Sequence, residues 1–417
     1  MKPINRQLKP LVLDALKYFP AVYINGPRQS GKTTLVCDLL ADDFRAKVIT
    51  FDNLLERSAA QRNPLSYIRE SGKPLIIDEV QFAQEIFRPL KILIDEQRQE
   101  ALHNDTNPNG LYLLTGSANL AVIPELANAM VGRMATLTLL PLSAAEVMNQ
   151  TPSFIERCFS KDFSDITIRN IQLTEIIRKA TYPELARHSQ AMIGHWFNSY
   201  IQKITLNDSR SIYNLEKIEL MPILLQSLAT RAGSLVNDAS IGREIGLNAV
   251  TTRNYRTLLS GLFITNALRP WYRKITKRLV KAKKLYFHDT MLLCHLLEST
   301  PADLSRNNPM RFGHVLENFV FSELCKQNNA TGERATISFY RTSDGREVDF
   351  ILERQNKLVA LEVKNTENIT DQDFAGIKEL QANTGGDFHC GIILCNSPRV
   401  IAYEKDIYLI PFSALWQ

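Results

Sequence analysis

The residues whose types and spacing most clearly indicate chemistry lie near the N-terminus, in the stretch GPRQSGKTT. An apolar run at residues 21–25 precedes the stretch, and a helical pattern follows it, which matches GxxxxGK[ST] in its usual context. Glycines let backbone N–H groups point at phosphates, and the helix N-terminus adds positive potential. The candidate phosphate-binding residues are Gly26, Pro27, Arg28, Gln29, Ser30, Gly31, Lys32, Thr33 and Thr34. The alternative is a chance match to a short pattern.

A second motif supplies the acids that nucleotide chemistry needs. The apolar run at residues 74–77 ends in Asp78 and Glu79. We expect Lys32 to reach the β- and γ-phosphates, and we expect Thr33 and Asp78 to hold Mg²⁺. Glu79 would then activate the attacking water. The two motifs together predict ATP and Mg²⁺ as ligands and ATP hydrolysis as the reaction, whereas a strand capped by two solvated acids is the structural alternative.

Three further side chains are candidates for the same site. Thr115 and Ser117 end the apolar run LYLLTGS, where a side chain that senses the γ-phosphate would lie, and the sequence does not choose between them. Arg133 precedes the last apolar run of this region. It is either a phosphate-facing arginine, in cis or toward a neighbouring subunit, or an ordinary surface arginine.

These residues require a scaffold that brings them to one edge. Apolar runs near residues 21–25, 48–52, 74–78, 111–117 and 135–140 alternate with helical patterns. Such alternation predicts an α/β fold with a parallel sheet covered by helices on both faces. Ligands bind at the carboxyl ends of such strands, which is where the candidate residues fall. We therefore expect a P-loop NTPase domain in residues 1–150.

The middle of the chain predicts two further modules. Residues 151–230 are expected to form a helical lid or connector, and residues 231–290 a winged helix. The winged helix would comprise helices at 238–247 and 249–259, with Asn248 as a cap, and strands at 261–265 and 284–287. Between the strands, residues 269–284 hold eight basic residues, two aromatics and no acids. This stretch could bind DNA through phosphates and base stacking, or the module could contact only proteins.

The C-terminal part, residues 291–417, predicts an αβββαβ order. A helix carries Glu317, and strands follow at 337–341, 347–352 and 358–364, then a helix at 371–381 and a strand at 390–394. Asp349 and Glu362 on adjacent strands would share one or two divalent ions, with Lys364 on the same face and Glu317 supporting the metal from the helix. The alternative is a solvated salt-bridge cluster.

In this order the motifs GPRQSGKTTL, LIIDEVQ, LYLLTGSANL, VGR, LPLSAAEV, GHVLENFVFSEL and YRTSDGREVDFILE resemble the prokaryotic AAA+-type ATPases that carry a conserved C-terminal domain of unknown function. The resemblance covers nearly the whole chain. It implies ATP binding and this architecture. The spacing of Asp349, Glu362 and Lys364 resembles the core of PD-(D/E)XK nucleases, although Val348 stands where their proline would be.

Bulk properties limit the remaining possibilities. The sequence has 45% hydrophobic residues, a net charge of +5 and six scattered cysteines without a CxxC pair, which is typical of a cytoplasmic protein without a disulfide framework. It shows neither a signal peptide nor a membrane-spanning run. We expect an ATPase that couples nucleotide state to a DNA-binding, nuclease-like C-terminal half. The alternative is an ATP-dependent signalling or defence switch with a catalytically inactive docking module, and an oligomer is left open.

Overall fold

The computed structural model describes residues 3–117, 130–166, 172–205 and 217–417. The chain divides into two compact units. The first comprises Met1–Pro141, Gly261–Phe263 and Asn329–Gly332, and the second comprises Leu142–Ser260, Ile264–Asn328 and Glu333–Gln417. The predicted division of residues 151–417 into three domains stays a prediction. In the described ranges, none of the helices combines the length and apolar character needed to span a bilayer.

The first unit contains a five-stranded parallel sheet in the order β2-β3-β4-β1-β5 within the described residues. The strands are β1 (Ala21–Asn25), β2 (Lys47–Thr50), β3 (Leu75–Asp78), β4 (Tyr112–Gly116) and β5 (Met134–Thr138). Every residue of β1, β3 and β4 is buried, as expected for strands covered on both faces. The prediction of an α/β fold with a parallel sheet is therefore confirmed.

Helices cover both faces of this sheet. The α-helices of the first unit are α1 (Lys9–Tyr18), α2 (Lys32–Thr34), α3 (Leu54–Arg62), α4 (Pro64–Glu70) and α5 (Phe87–Asn104). Alternate residues of β1 enter two separate cores: Tyr23 packs in one, and Val22 and Ile24 pack in the other. Helix α2 continues as a π-helical turn at Leu35–Leu39. The two cores hold the carboxyl ends of the strands in place.

The second unit begins with helices. Those in its described part are α6 (Ala144–Val147), α7 (Phe154–Ser160), α8 (Leu173–Lys179), α9 (Gln190–Lys203), α10 (Met221–Ala229), α11 (Asp238–Ile245), α12 (Ala249–Gly261), α13 (Ile275–Val280), α14 (Thr290–Leu296), α15 (Pro301–Asn307), α16 (Pro309–Ala330) and α17 (Ala375–Thr384). Gly246 ends α11 in the left-handed conformation at φ +76°, a common helix terminator. The Asn248 side chain accepts a hydrogen bond from the Thr251 N–H, so the predicted cap is confirmed.

One prediction about the following segment is wrong. Residues 261–265 do not form a strand, because α12 continues to Gly261 and the two-stranded sheet of β6 (Thr265–Leu268) and β7 (Lys284–Phe287) begins only at Thr265. The stretch between these strands contains α13, and the winged helix stays a prediction. Apolar residues at helical spacing within α12, Tyr255, Leu258 and Leu259, are all buried.

The C-terminal part of the second unit has the predicted αβββαβ element order. Helix α16 precedes β8 (Thr336–Arg341), β9 (Glu347–Arg354) and β10 (Lys357–Val363), and α17 precedes β11 (Phe388–Cys395). Strands β8, β9 and β10 are antiparallel neighbours, and β10 pairs with β11 in parallel. Two strands that the sequence analysis missed, β12 (Ile401–Glu404) and β13 (Ile407–Pro411), extend the sheet beyond β11.

Candidate ATP-binding site and C-terminal acidic cluster

The phosphate-binding loop follows β1 directly and depends on two glycine conformations. Gly26 has φ +148°, and a Cβ there would lie 2.1 Å from the Leu139 carbonyl oxygen. Gly31 has φ +91° at the N-terminus of α2. Only glycine adopts such angles without strain, and only glycine leaves room for the neighbouring backbone. The loop geometry thus accounts for both glycines of the motif.

Lys32 lies inside this loop and is only 4% exposed. Its Nζ donates to the carbonyl oxygens of Gly26 at 3.1 Å and Pro27 at 2.8 Å. Burial lowers the pKa of the ammonium to about 8, and the negative charge of Glu79 opposes that shift. The ammonium is therefore buried among backbone carbonyls at the position where it was predicted to bind phosphate.

Asp78 contacts hydroxyl groups from one helix and two strands at the carboxyl edge of the sheet. Thr33 Oγ1 donates to its two oxygens at 3.1 and 3.0 Å. Thr115 Oγ1 donates to Oδ1, and Thr50 Oγ1 lies 3.5 Å from Oδ2. The pair of Thr33 and Asp78 fits Mg²⁺ bound together with ATP, because hydroxyl and carboxylate oxygens are its usual protein ligands there.

A buried hydroxyl in the loop also fits a phosphate ligand. Within the described part of the chain, Ser30 Oγ is buried without a hydrogen-bond partner. Buried polar groups normally have one, and the loop around Ser30 is the segment whose N–H groups were predicted to cradle phosphate. The residues present therefore fit a bound nucleotide.

Glu79 follows β3 in the left-handed conformation at φ +58°, an uncommon angle for a residue other than glycine. Its N–H donates to Thr115 Oγ1 at 3.3 Å. The Gln81 side-chain amide donates to the Glu79 carboxylate and, at 3.1 Å, to Ser117 Oγ. Of the two sensor candidates, Thr115 therefore contacts Asp78, whereas Ser117 contacts the glutamine that holds Glu79.

Two residues of this site were not predicted. Gln81 lies in the quoted motif LIIDEVQ, but its role became visible only through its contacts. Arg6 is 5% exposed, and its guanidinium donates to the carbonyl oxygens of Ser30 at 2.5 Å and Leu140 at 2.6 Å. It thereby ties the phosphate-binding loop to the segment after β5. No local sequence signal marks it.

Arg133 does not face the phosphate-binding loop of its own chain, so the cis interpretation is wrong. Its carbonyl accepts from the N–H of Ala21 at the amino end of β1, whereas the loop follows the carboxyl end of that strand. The guanidinium instead forms a two-point ion pair with Asp95 of α5, at 2.7 and 2.8 Å. A role toward a neighbouring subunit stays a prediction.

The second unit brings together the four residues predicted from its acidic motif. The Asp349 N–H donates to Glu362 Oε2 at 3.3 Å, and Lys364 Nζ lies 3.0 Å from Glu362 Oε1. Burial is the main cause that raises the pKa of Asp349, and the nearby Glu317 charge raises it further. Burial likewise raises the pKa of Glu362, followed by the charge of Asp349.

A residue from outside the predicted motif is also part of this cluster. Lys284, the first residue of β7, contacts Glu317 at 2.9 Å, Glu347, and Asp349 at 3.8 Å. Among the residues that the structure describes, no three His, Cys, Asp or Glu side chains converge to hold a metal ion. In this arrangement the carboxylates are paired with lysines and backbone N–H groups, and metal binding by Asp349 and Glu362 stays a prediction.

The basic stretch, defined as residues 269–284, is divided between surface and interior. Trp271 is 6% exposed and packs against Tyr340, so it is not available to stack on a base, whereas Tyr272, the other aromatic of the stretch, is partly exposed. Arg278 lies 5.2 Å above the Trp271 ring and pairs with Glu353. The exposed basic side chains are Arg269, Arg273, Lys274, Lys277 and Lys281.

Three family models match the chain. The model described as an AAA domain matches residues 18–148, and two models described as domains of unknown function, DUF8612 and DUF4143, match residues 170–303 and 312–415.

Two relatives are similar to this chain over most of their length. An uncharacterized protein of Mycobacterium tuberculosis is 25% identical over 352 residues, covering 84% of this chain and 72% of that protein. An uncharacterized protein of Haemophilus influenzae is 22% identical over 366 residues, covering 84% of each. The crystal structure of Cdc6p from Pyrobaculum aerophilum is similar at 13% identity and a TM-score of 0.24, covering 70% of this chain and 92% of that one. The phosphate-binding loop described above lies within residues 18–148, the part of the chain that matches the AAA-domain model, and this match supports an ATP-binding AAA-type domain there.

Proposed function

We propose that the protein is a Mg²⁺-dependent ATPase whose nucleotide state controls a DNA-binding C-terminal half. The observation that carries the ATPase proposal is the group formed by the buried Lys32, Asp78 and Thr115 and the exposed Thr33, beside Glu79 at one edge of the parallel sheet. A lysine and an aspartate this deeply buried are costly unless a ligand or partner uses their charge.

Each side chain has a distinct task in this proposal. Lys32 exchanges its backbone carbonyl partners for phosphate oxygens, and Thr33 and Asp78 hold Mg²⁺, which supplies charge neutralisation at the phosphates. Glu79 accepts a proton from the attacking water. Gln81, which donates to both Glu79 and Ser117, positions the Glu79 carboxylate.

The DNA-binding part of the proposal rests on the five exposed basic side chains of the basic stretch. No acid interrupts residues 269–284, although Arg273 pairs with Asp387 at 2.9 Å, so the charges of Arg269 and the three exposed lysines are the main candidates for phosphate contacts. The αβββαβ element order supports a nuclease-like fold for the C-terminal part, and α11 and α12 support a helix-turn-helix. These charges would recognise the phosphate backbone and not the base sequence.

A second candidate is a protein-docking module without DNA contact. The observation that favours it lies on α12, the helix that would enter a DNA groove. Two of its arginines are held by Asp238 of α11, with Arg256 Nε at 2.9 Å and Arg253 Nε at 3.2 Å. Arginines paired in this way have fewer donors left for phosphates or bases.

ATP turnover with and without nucleic acid separates these candidates. We would measure phosphate release with Mg²⁺ alone and with single- and double-stranded DNA and RNA, using Lys32→Ala as the matched negative control. Turnover in the wild type that the variant lacks supports the ATPase proposal, and stimulation by DNA supports the DNA-binding half. Turnover that DNA and RNA leave unchanged, together with no DNA binding, would favour the docking module. Absence of turnover under every condition would refute the ATPase proposal.

A further inference from the structure

Lys284 is a buried cation at the centre of the acidic cluster, here defined as Glu317, Glu347, Asp349 and Glu362. Only 4% of its side-chain surface is exposed. Its ammonium contacts three of the four carboxylates, on helix α16 and strand β9. A buried ammonium is stable only when it is paired and hydrogen-bonded, and these carboxylates provide that pairing.

Further contacts surround the carboxylate oxygens of the cluster. Asp349 Oδ2 accepts from the Val363 N–H at 2.9 Å, and Glu317 Oε1, the oxygen that contacts Lys284, also accepts from the Tyr286 hydroxyl. Glu362 uses one oxygen for Lys364 and the other for the Asp349 N–H. A divalent ion would need several of these oxygens at about 2.0–2.6 Å, and it would lie next to an ammonium of the same sign.

The backbone fixes Lys284 where its side chain must enter the cluster. Lys284 pairs with Leu268 of β6 on one side and forms an isolated antiparallel bridge with Leu235 on the other. The Phe339 ring centroid lies 5.6 Å from its Nζ. Moving the ammonium away from the carboxylates would leave it beside an aromatic ring in the interior, which costs more than the present pairing.

We infer that the Lys284 ammonium takes the place of a divalent ion in the acidic cluster, so the C-terminal half binds no Mg²⁺ or Mn²⁺ there and does not cut nucleic acid by metal-dependent hydrolysis. The cluster is instead an internal ion network that joins β7 to α16 and β9. Under this inference the nuclease-like fold serves for binding alone. The inference concerns a site separate from the ATP site and does not depend on ATP hydrolysis.

The test is Mn²⁺ binding, measured by calorimetry in full-length protein that carries Asp78→Asn, so that the ATP site adds no Mn²⁺ signal. The parent should show no saturable binding. Lys284→Met should gain a saturable Mn²⁺ site. Its affinity should exceed any residual Mn²⁺ binding by the parent at least about a hundredfold, because a like charge at roughly 4 Å is removed. Adding Asp349→Asn to Lys284→Met should abolish this site. Lys284→Arg is the matched control, since it keeps the positive charge and should bind no Mn²⁺.

Thermal unfolding provides a second readout for the same variants. Lys284→Met should unfold at a lower temperature than the parent, because its carboxylates lose their cation, and Mn²⁺ should restore part of the loss. The parent and Lys284→Arg should not respond to Mn²⁺. Saturable Mn²⁺ binding by the parent that Asp349→Asn removes would overturn the inference, whether or not Lys284→Met folds. A folded Lys284→Met without Mn²⁺ affinity would also overturn it.

Discussion

The buried position of Lys32 predicts that the affinity for ATP falls as the pH rises above about 8. Burial lowers the pKa of this lysine to about 8 before nucleotide binds, and the negative charge of Glu79 opposes the shift. Triphosphate oxygens would favour the charged ammonium, so the pKa of Lys32 should be higher in the complex. Well below pH 8, Lys32 is already protonated in the free protein, so the affinity for ATP should not change with pH. Above pH 8, the binding of ATP must be accompanied by the uptake of a proton.

The size of the effect follows from the fraction of protonated lysine. With a pKa of about 8, about one chain in ten carries the ammonium at pH 9, so the dissociation constant for ATP should rise about tenfold per pH unit between pH 8.5 and the pKa of the complex. Equilibrium titration with a fluorescent ATP analogue in Mg²⁺, from pH 7 to pH 10, measures this slope.

Lys32→Arg is the matched control, because a guanidinium stays charged throughout this pH range. Its affinity is expected to be weaker at pH 7, since the loop is shaped for an ammonium, but nearly independent of pH. A wild-type affinity that stays constant to pH 10 would show that the pKa of Lys32 is not lowered in the free protein. Equal slopes in the wild type and in Lys32→Arg would assign the pH dependence to another group.

Three further outcomes are expected. Glu79→Gln should bind ATP like the wild type and lose turnover by about 100-fold or more, measured as phosphate release, since an amide cannot accept the proton of the attacking water; unchanged turnover would remove Glu79 from this role. Gly26→Ala should lower the free energy of unfolding by about 1–3 kcal/mol more than Gly72→Ala in denaturant titrations, because both have positive φ but a Cβ at Gly72 meets open space; equal losses would contradict a clash with the Leu139 carbonyl. Alanine at the three exposed lysines of the basic stretch should flatten the salt dependence of DNA binding by about 0.9 per lost phosphate contact; an unchanged slope would place the DNA elsewhere.

The ATP site was largely predictable because its parts are local in sequence. The phosphate-binding loop is one uninterrupted stretch, and its neighbouring strand and helix follow from adjacent apolar residues. Asp78 and Thr115 were predicted to meet it because the carboxyl ends of parallel strands share an edge. The structure has these contacts, with Thr33 and Thr115 both donating to Asp78.

Residues that reach a site across long sequence separations were not predictable in this way. Arg6 contacts Ser30 and Leu140, and its own neighbours in the sequence form no motif. The sequence correctly predicted a strand after Arg133. Because Arg133 precedes this strand, it lies at the edge of the sheet where the strands begin, whereas the phosphate-binding loop lies at the edge where they end.

The sequence also could not predict which cations of the basic stretch are buried and which are exposed. In the sequence its eight cations are equivalent, yet the strand that begins at Lys284 carries this side chain into the interior, while α13 leaves Lys277 exposed. Lys284 belongs to the region matched at residues 170–303, and its partners Glu317 and Asp349 belong to the region matched at 312–415. The ion pairs of Lys284 therefore join the two matched regions, which lie within a single compact unit. Removing one partner of such a buried pair would leave the other charge uncompensated in the interior, which is costly.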